Sequence, residues 1–471
     1  MSDVLEEVDS NIEQITIQPV PENQRTGVAR HLFSIWFGVQ IMPLTLVTGV
    51  LGPTVFGLDL TWTVVSIVLG NLVGAIFMAL HSAQGPQLGV PQMVQSRGQF
   101  GLYGSLVVLV VTVMMYLGFL ASILVLAAQS LQVIFPSLDG TIAIILSSVL
   151  TLVLVVFGYQ VIHRMNRILM PLFGIAVIVT FIYILMAKGS HNPDTSALGY
   201  STAGFFGMFS VAAVWQVAYA PYVSDYSRYL PKNVSSRETF HYTYWGSAVG
   251  AIPVMIIGGL IPIWLGGAGS LSDLTGIMPT IALWFVAIMF FLGSIDACVI
   301  NLYGPALCLV TIGQTFKSNW FPKAPTRAVI AAVFCGLAAV LATVFAQNFL
   351  VQYSNFILFL LYFLIPWSVI NLVDYYIVRK GDYDVNSFFE PGGGVYGLFN
   401  WPAVLAYILG VLIQIPFMST SFYTGPIATM LSGVDTAWIV GSIATTIIYL
   451  GLVKVMTPDR KTDAFSGTNA S

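Results

Sequence analysis

The chain has 471 residues, of which 57% are hydrophobic and only 8% charged, with a formal net charge of -3. An ordinary soluble domain carries about 25% charged residues, so most of this surface must be solvated by lipid. Soluble enzymes, nucleic-acid binders and secreted disulfide scaffolds are excluded, and an all-α polytopic membrane protein is expected.

In chain order, residues 1–28 are polar and acidic with no apolar core, which predicts a disordered cytoplasmic tail and no cleavable signal. A bilayer-crossing helix needs roughly 20 mostly apolar residues. That rule gives twelve spans, centred on Val39, Gly70, Gly118, Val149, Ala176, Val214, Met255, Gly293, Cys335, Ile365, Gly410 and Gly441. Barrel strands would be shorter alternating segments. The connections are short, so residues 29–455 are expected to form one transmembrane domain, with a second cytoplasmic tail at 456–471. Cys298, Cys308 and Cys335 all lie in apolar runs and read as small packing residues.

Placing every basic residue tests the span count. With the N-terminus inside, sixteen of the seventeen Lys and Arg fall on the cytoplasmic side and only Lys188 outside. That is a strong positive-inside bias, and it predicts both termini in the cytoplasm and insertion in the cell membrane. Most carboxylates sit in tails, loops or span ends. Asp296 alone lies near the middle of an apolar run, FFLGSIDACVINLYG. A charge at that depth costs several kcal/mol unless it meets a cavity or partner. It reads as a coupling carboxylate, or as a protonated and packed one.

Two spans are interrupted at matching places. Span 1 carries Pro43 and span 6 carries Pro221, each with a glutamine upstream, Gln40 and Gln216. A mid-span proline removes one backbone hydrogen bond, and paired interruptions in two halves point to a binding site between inverted repeats. Spans 3 and 8 mirror each other weakly through YLGF (Tyr116 to Phe119) and FLGS (Phe291 to Ser294). Five spans (about 29–190), five inverted spans (about 200–380) and two extra helices (about 400–455) resemble the leucine-transporter-like fold. On these spans Phe119, Trp215, Tyr219 and Tyr222 offer flat faces, and Gln40, Gln216 and Asn301 offer paired donors and acceptors. Each alone is equally consistent with core packing or helix–helix adhesion. Ser294 and Asn301, seven residues apart, share a face of span 8, while Asp296 points elsewhere.

Four segments carry a family resemblance: VFGLDLTWTVVSIVLGNLVG with GPQLGVPQMVQSRGQFGLYG, YAPYVSDYSRYLP, INLYGPAL, and NLVDYYIVRKGDYDVNSFF with GVYGLFNWPAV. They resemble the nucleobase:cation symporter-1 family in its purine and cytosine permease branch, over about Arg25 to Lys454. The resemblance implies alternating-access symport of a planar nucleobase-like compound with a proton or sodium ion. No cofactor or nucleic-acid partner is implied, and the chain is expected to work in the bilayer as a monomer. Carried over by position, the substrate residues are Gln40, Phe119, Trp215, Gln216, Tyr219 and Asn301, with the sixth-span aromatics left as rivals. The cation positions are Asp296, Ser294 and the backbone carbonyls around Trp36 and Val39. This chain departs from the family pattern at Phe119, usually Trp, and at Ile123, where many members have a polar amide.

A channel or facilitator, or a symporter of a vitamin precursor or hydantoin-like compound, is the alternative. No HExxH or GxSxG pattern is present, and the five His lie at span ends or in loops, so an enzyme is not expected.

Overall fold

The computed structural model describes residues 17–456 apart from 158, 192, 268, 318–319 and 321–323. Most of both expected tails, together with Lys323, Arg460 and Lys461, lies outside the described residues. The architecture is all-helical. Among the described residues β-pairing is limited to a single bridge between Ser419 and Thr424.

Span 1 is a bent pair, Arg30–Gln40 and Pro43–Thr54, at 61° to each other. The others follow as Leu60–Ser82 (span 2), Ser105–Ile134 (3), Gly140–Phe157 (4), Tyr159–Ala187 (5), Thr202–Val217 continued by Ala220–Tyr222 and Val223–Ser227 (6), and Ser236–Leu265 (7). Then come Thr280–Phe316 (8), Ala324–Ala346 (9), Phe349–Val373 (10), Trp401–Leu412 (11) and Ala437–Met456 (12). Among the described residues, eight helices and the bent pair are long and apolar enough to cross a membrane. Shorter apolar helices at Gly140–Val155, Pro171–Ala187 and Trp401–Phe417 occupy the places expected for spans 4, 5 and 11.

In lipid every backbone polar group must be satisfied within the protein, and the helix starts show how. The Asp59 carboxylate accepts from Trp62 N at 2.9 Å ahead of span 2, and Ser201 Oγ accepts from Gly204 N at 3.0 Å ahead of span 6. Such N-caps supply partners that the first helical turn lacks.

The helix pairing has the symmetry of an inverted repeat. Span 2 packs on span 6, and span 7 packs on span 1. Exchanging the halves converts one pair into the other. Span 3 lies on span 8, a pair that maps to itself, and the pairing of spans 3 and 9 is echoed by spans 8 and 4. Spans 11 and 12 pack on each other and against span 10.

Small residues set these contacts, because without a hydrophobic drive between helices in lipid, close backbone approach is what packs them. A Cβ on Gly49 would lie 1.7 Å from Met255 O, and one on Gly258 would lie 1.8 Å from Leu46 O. Gly246 and Gly250 admit the backbone of the first half of span 1 in the same way, and Gly70 and Gly74 admit span 6. Gly258→Ala is therefore expected to push spans 1 and 7 apart, at about 1–3 kcal/mol. It should lower the midpoint of heat inactivation followed by size exclusion in detergent. Gly174→Ala, with nothing within 4 Å of the added carbon, should leave that midpoint unchanged.

Candidate functional site

The break in span 1 follows from its sequence. Pro43 has no N–H to give the Val39 carbonyl four residues earlier. The first half therefore closes with Ile41 N on Gly38 O and Met42 N on Gln40 O, both at 3.0 Å. Met42 is extended (φ -145°, ψ 160°), and Pro43 then starts the second half at its first position, where the missing N–H costs nothing. Span 6 is interrupted without a comparable bend. Its α-helix ends at Val217, and Pro221 sits in the 3-10 turn Ala220–Tyr222.

Gln40 and Gln216, the last polar residues before the two interruptions, lie at opposite sides of one buried hydrogen-bond chain. Gln40 Oε1 accepts from Trp215 Nε1 at 2.6 Å and, more weakly, from the Tyr219 hydroxyl at 3.5 Å. Gln40 Nε2 donates to Ser247 Oγ at 2.7 Å, and the Ser247 hydroxyl donates to Gln216 Oε1. Gln216 Nε2 donates to Asn71 Oδ1 at 2.8 Å, and Asn71 Nδ2 donates to Ile67 O at 2.9 Å and Met255 Sδ at 3.3 Å. Gln40, Ser247, Gln216 and Asn71 are fully buried. The chain ties spans 6, 1, 7 and 2 together at the level of the break.

Sequence reasoning found Gln40, Gln216, Trp215 and Tyr219 but missed Asn71 and Ser247. Asn71 was legible as an amide inside the apolar run of span 2. Ser247 was hidden among the small residues of YWGSAVGA.

Aromatic rings extend from this chain. Trp215 meets Phe119 edge to face at 6.4 Å, and Tyr219 lies 6.1 Å from Trp215 and 5.7 Å from Trp36. Tyr222 sits 5.6 Å from both Tyr219 and Tyr116. Phe119 also packs on Phe356 of span 10 at 5.3 Å. Span 10 reaches the second half of span 1 as well, where the Tyr353 and Thr48 hydroxyls meet at 2.8 Å.

On span 8 the residues singled out from sequence behave differently from one another. Asn301 Nδ2 donates to its own helix at Ala297 O, 2.9 Å, leaving its carbonyl and one N–H. Ser294 is buried, and its hydroxyl has no hydrogen-bond partner among the described residues. Asp296, two residues on, is half-buried. Trp36 is buried and Val39 half-buried at the end of the first half of span 1. No group of three or more His, Cys, Asp or Glu that could hold a metal occurs among the described residues.

Comparison with known proteins places this geometry. Residues 19–441 match the family described as permease for cytosine/purines, uracil, thiamine, allantoin. The chain belongs to that family. It is 41% identical over 450 residues to the provisionally named purine-cytosine permease YxlA of Bacillus subtilis, covering 94% of this chain and 96% of that protein. It is 26% identical to the purine-cytosine permease fcyB of Emericella nidulans, over 94% and 88% of the two chains. Among solved structures it is similar to Mhp1 in an inward-facing conformation, with a TM-score of 0.76 at 16% identity and 99% coverage of both chains. Mhp1 closed around bromovinylhydantoin gives a TM-score of 0.73, at 16% identity and 96% and 97% coverage. At that identity the likeness shows the fold, which is the leucine-transporter-like one expected. The protein is a multi-pass permease, not an enzyme.

Two of the segments that carried the resemblance, the loop between spans 2 and 3 and the stretch that ends span 10, hold the helix ends rather than line the break. Gln92–Phe100, between spans 2 and 3, is polar yet wholly buried. Arg97 donates to Phe388 O and Thr311 O, each at 3.0 Å, and burial pushes its pKa down to about 10. Gln99 donates to the Tyr383 hydroxyl at 3.0 Å and accepts from Asn371 at 3.2 Å. Asp374 is fully buried in a π-helical turn closing span 10. Its carboxylate takes Arg379 Nε at 3.0 Å, the Tyr449 hydroxyl at 2.7 Å and the Tyr383 hydroxyl. Burial works against the Arg379 charge, yet Asp374 together with Tyr383, Tyr396 and Tyr449 outweighs it and holds the guanidinium above its ordinary pKa. Arg379→Met leaves a buried carboxylate without its cation, a loss of about 3–5 kcal/mol. A large fall in the thermal midpoint is expected, whereas Arg379→Lys should recover part of it.

Proposed function

We propose that this permease imports a planar heterocycle of the cytosine and purine class by alternating access, coupled to a proton or sodium ion. The observation that carries the reading is the meeting of flat aromatic faces and buried amides at the break of span 1. Rings such as Phe119, Trp215 and Tyr219 suit stacking on a planar base, and Gln40, Gln216 and Asn301 suit its hydrogen-bonding edge. The names of the matched relatives and the hydantoin ring bound by Mhp1 are consistent with such a cargo.

The cation role falls to Asp296 and Ser294 of span 8, together with the backbone carbonyls around Trp36 and Val39 at the end of the first half of span 1. A carboxylate at this depth suits a proton carrier or a charged sodium ligand equally, and burial decides which by shifting the cost of its charge. The Lys and Arg distribution supports cytoplasmic termini in the cell membrane, and the site needs only one chain. A facilitator built on the same fold would bind its solute with no ion linkage.

Ligand that binds only the folded state stabilises it by mass action, about 2.7 kcal/mol at 100 times Kd. A thermal-shift panel of cytosine, adenine, hypoxanthine, guanine and hydantoin, with and without sodium at two pH values, is expected to show stabilisation by a base that grows with sodium or with acid. Stabilisation by none of them would overturn the substrate reading, and stabilisation without ion linkage would favour a facilitator. Asp296→Asn is expected to abolish uphill uptake into proteoliposomes while exchange of labelled base persists. Undiminished accumulation would remove Asp296 from coupling.

A further inference from the structure

The chain of side chains through Asn71 and Ser247 has a direction, and both of its ends are fixed by groups that cannot reverse. At one end the Trp215 indole N–H can only donate, so the group it meets at 2.6 Å must be the Gln40 carbonyl oxygen. The amino side of Gln40 then donates to Ser247, and the single Ser247 hydrogen passes on to the Gln216 carbonyl. The Gln216 amino group is left to donate to Asn71 Oδ1, so Asn71 turns its own amino group to the Ile67 carbonyl. A backbone carbonyl can only accept. Turning over Gln40 or Asn71 would set donor against donor or acceptor against acceptor at two buried contacts, and turning over Gln216 would set its oxygen against Asn71 Oδ1 and strip the Ser247 hydrogen of its acceptor; every unmet group costs its desolvation.

The consequence concerns what is left over. The Gln40 oxygen already takes two donors and the Gln216 oxygen takes the Ser247 hydroxyl. Each glutamine amino group spends one hydrogen in the chain and keeps a second. We infer that Asn71 and Ser247, on the unbroken spans 2 and 7, are positioning residues for specificity: they hold Gln40 and Gln216 so that the wall formed by spans 1 and 6 presents N–H donors. The substrate edge that fits this wall carries acceptors, a ring carbonyl or a bare ring nitrogen, and a base with a carbonyl there is preferred to one with an amino group. This rests on the reading of spans 1 and 6 as a substrate wall, and goes beyond it by naming the edge they read and the residues that set it.

Hypoxanthine and adenine, which differ in a carbonyl or an amino group at C6, test it on the full-length protein in lipid nanodiscs by their Kd values. The wild type is expected to favour hypoxanthine at least tenfold. Asn71→Leu removes the acceptor holding the Gln216 amino group, lets that amide turn, and should shift the ratio at least fivefold toward adenine. In Asn71→Asp a protonated carboxyl accepts from Gln216 and donates to Ile67 as the amide does, so the wild-type ratio should persist. Ser247→Ala takes the donor from the Gln216 oxygen and should shift the ratio in the same direction, which keeps the test open if Asn71→Leu does not fold. A merely structural role would weaken both bases alike and leave the ratio fixed. A wild-type ratio near one, or an unmoved ratio in both folded variants, overturns the inference while leaving nucleobase binding intact. Binding of no nucleobase at all by the wild type would instead remove the substrate reading, and this inference with it.

Discussion

Breaking a helix inside a bilayer strands peptide groups that lipid cannot satisfy, and a fold that needs such a break must supply polar partners from elsewhere. Here the break comes at Ile41 and Met42, between two half-helices 61° apart. The partners that hold its edge in place come from two other spans, through Trp215 and Gln216 of span 6 and Ser247 of span 7. Much else in the molecule is arranged around that need. Glycines on span 7 let the broken span come close enough for a glutamine to reach a serine, and glycines on span 2 bring span 6 within reach of Asn71.

The two kinds of contact divide the work. Glycine-mediated backbone approach gives the bundle of spans 1, 2, 6 and 7 its density, and the amide chain gives it a register. Span 10 also meets this bundle, through Tyr353 on Thr48 and Trp367 stacked on His81 at 4.9 Å. The far end of span 10 is fixed differently, by the buried Asp374 and its three donors.

Legibility of the sequence followed the range of the interaction. Spans were readable because hydropathy is local, and the break of span 1 was readable because a proline acts on the carbonyl four residues before it. Gln40 and Gln216 stood out as amides beside those prolines. The serine that joins them did not, since nothing along the chain links Gln40 to Ser247, 207 residues away. Two of the family segments, the loop after span 2 and the stretch that ends span 10, were recognisable as patterns, but not as what they form in space, a buried polar layer joining Gln99, Asn371, Asp374 and Tyr383.

The scarcity of charge, 8% of the residues, determined by itself that the chain is a membrane protein, and the proline positions determined where one span breaks, because both act through solvent and through the nearest turn of backbone. Only the tertiary structure decided what the polar residues beside the breaks do. An amide's two ends are chemically opposite, and which end faces inward depends on neighbours contributed by other spans. For Gln40 and Gln216 that choice is made by a tryptophan and a backbone carbonyl at the two ends of a chain crossing four helices.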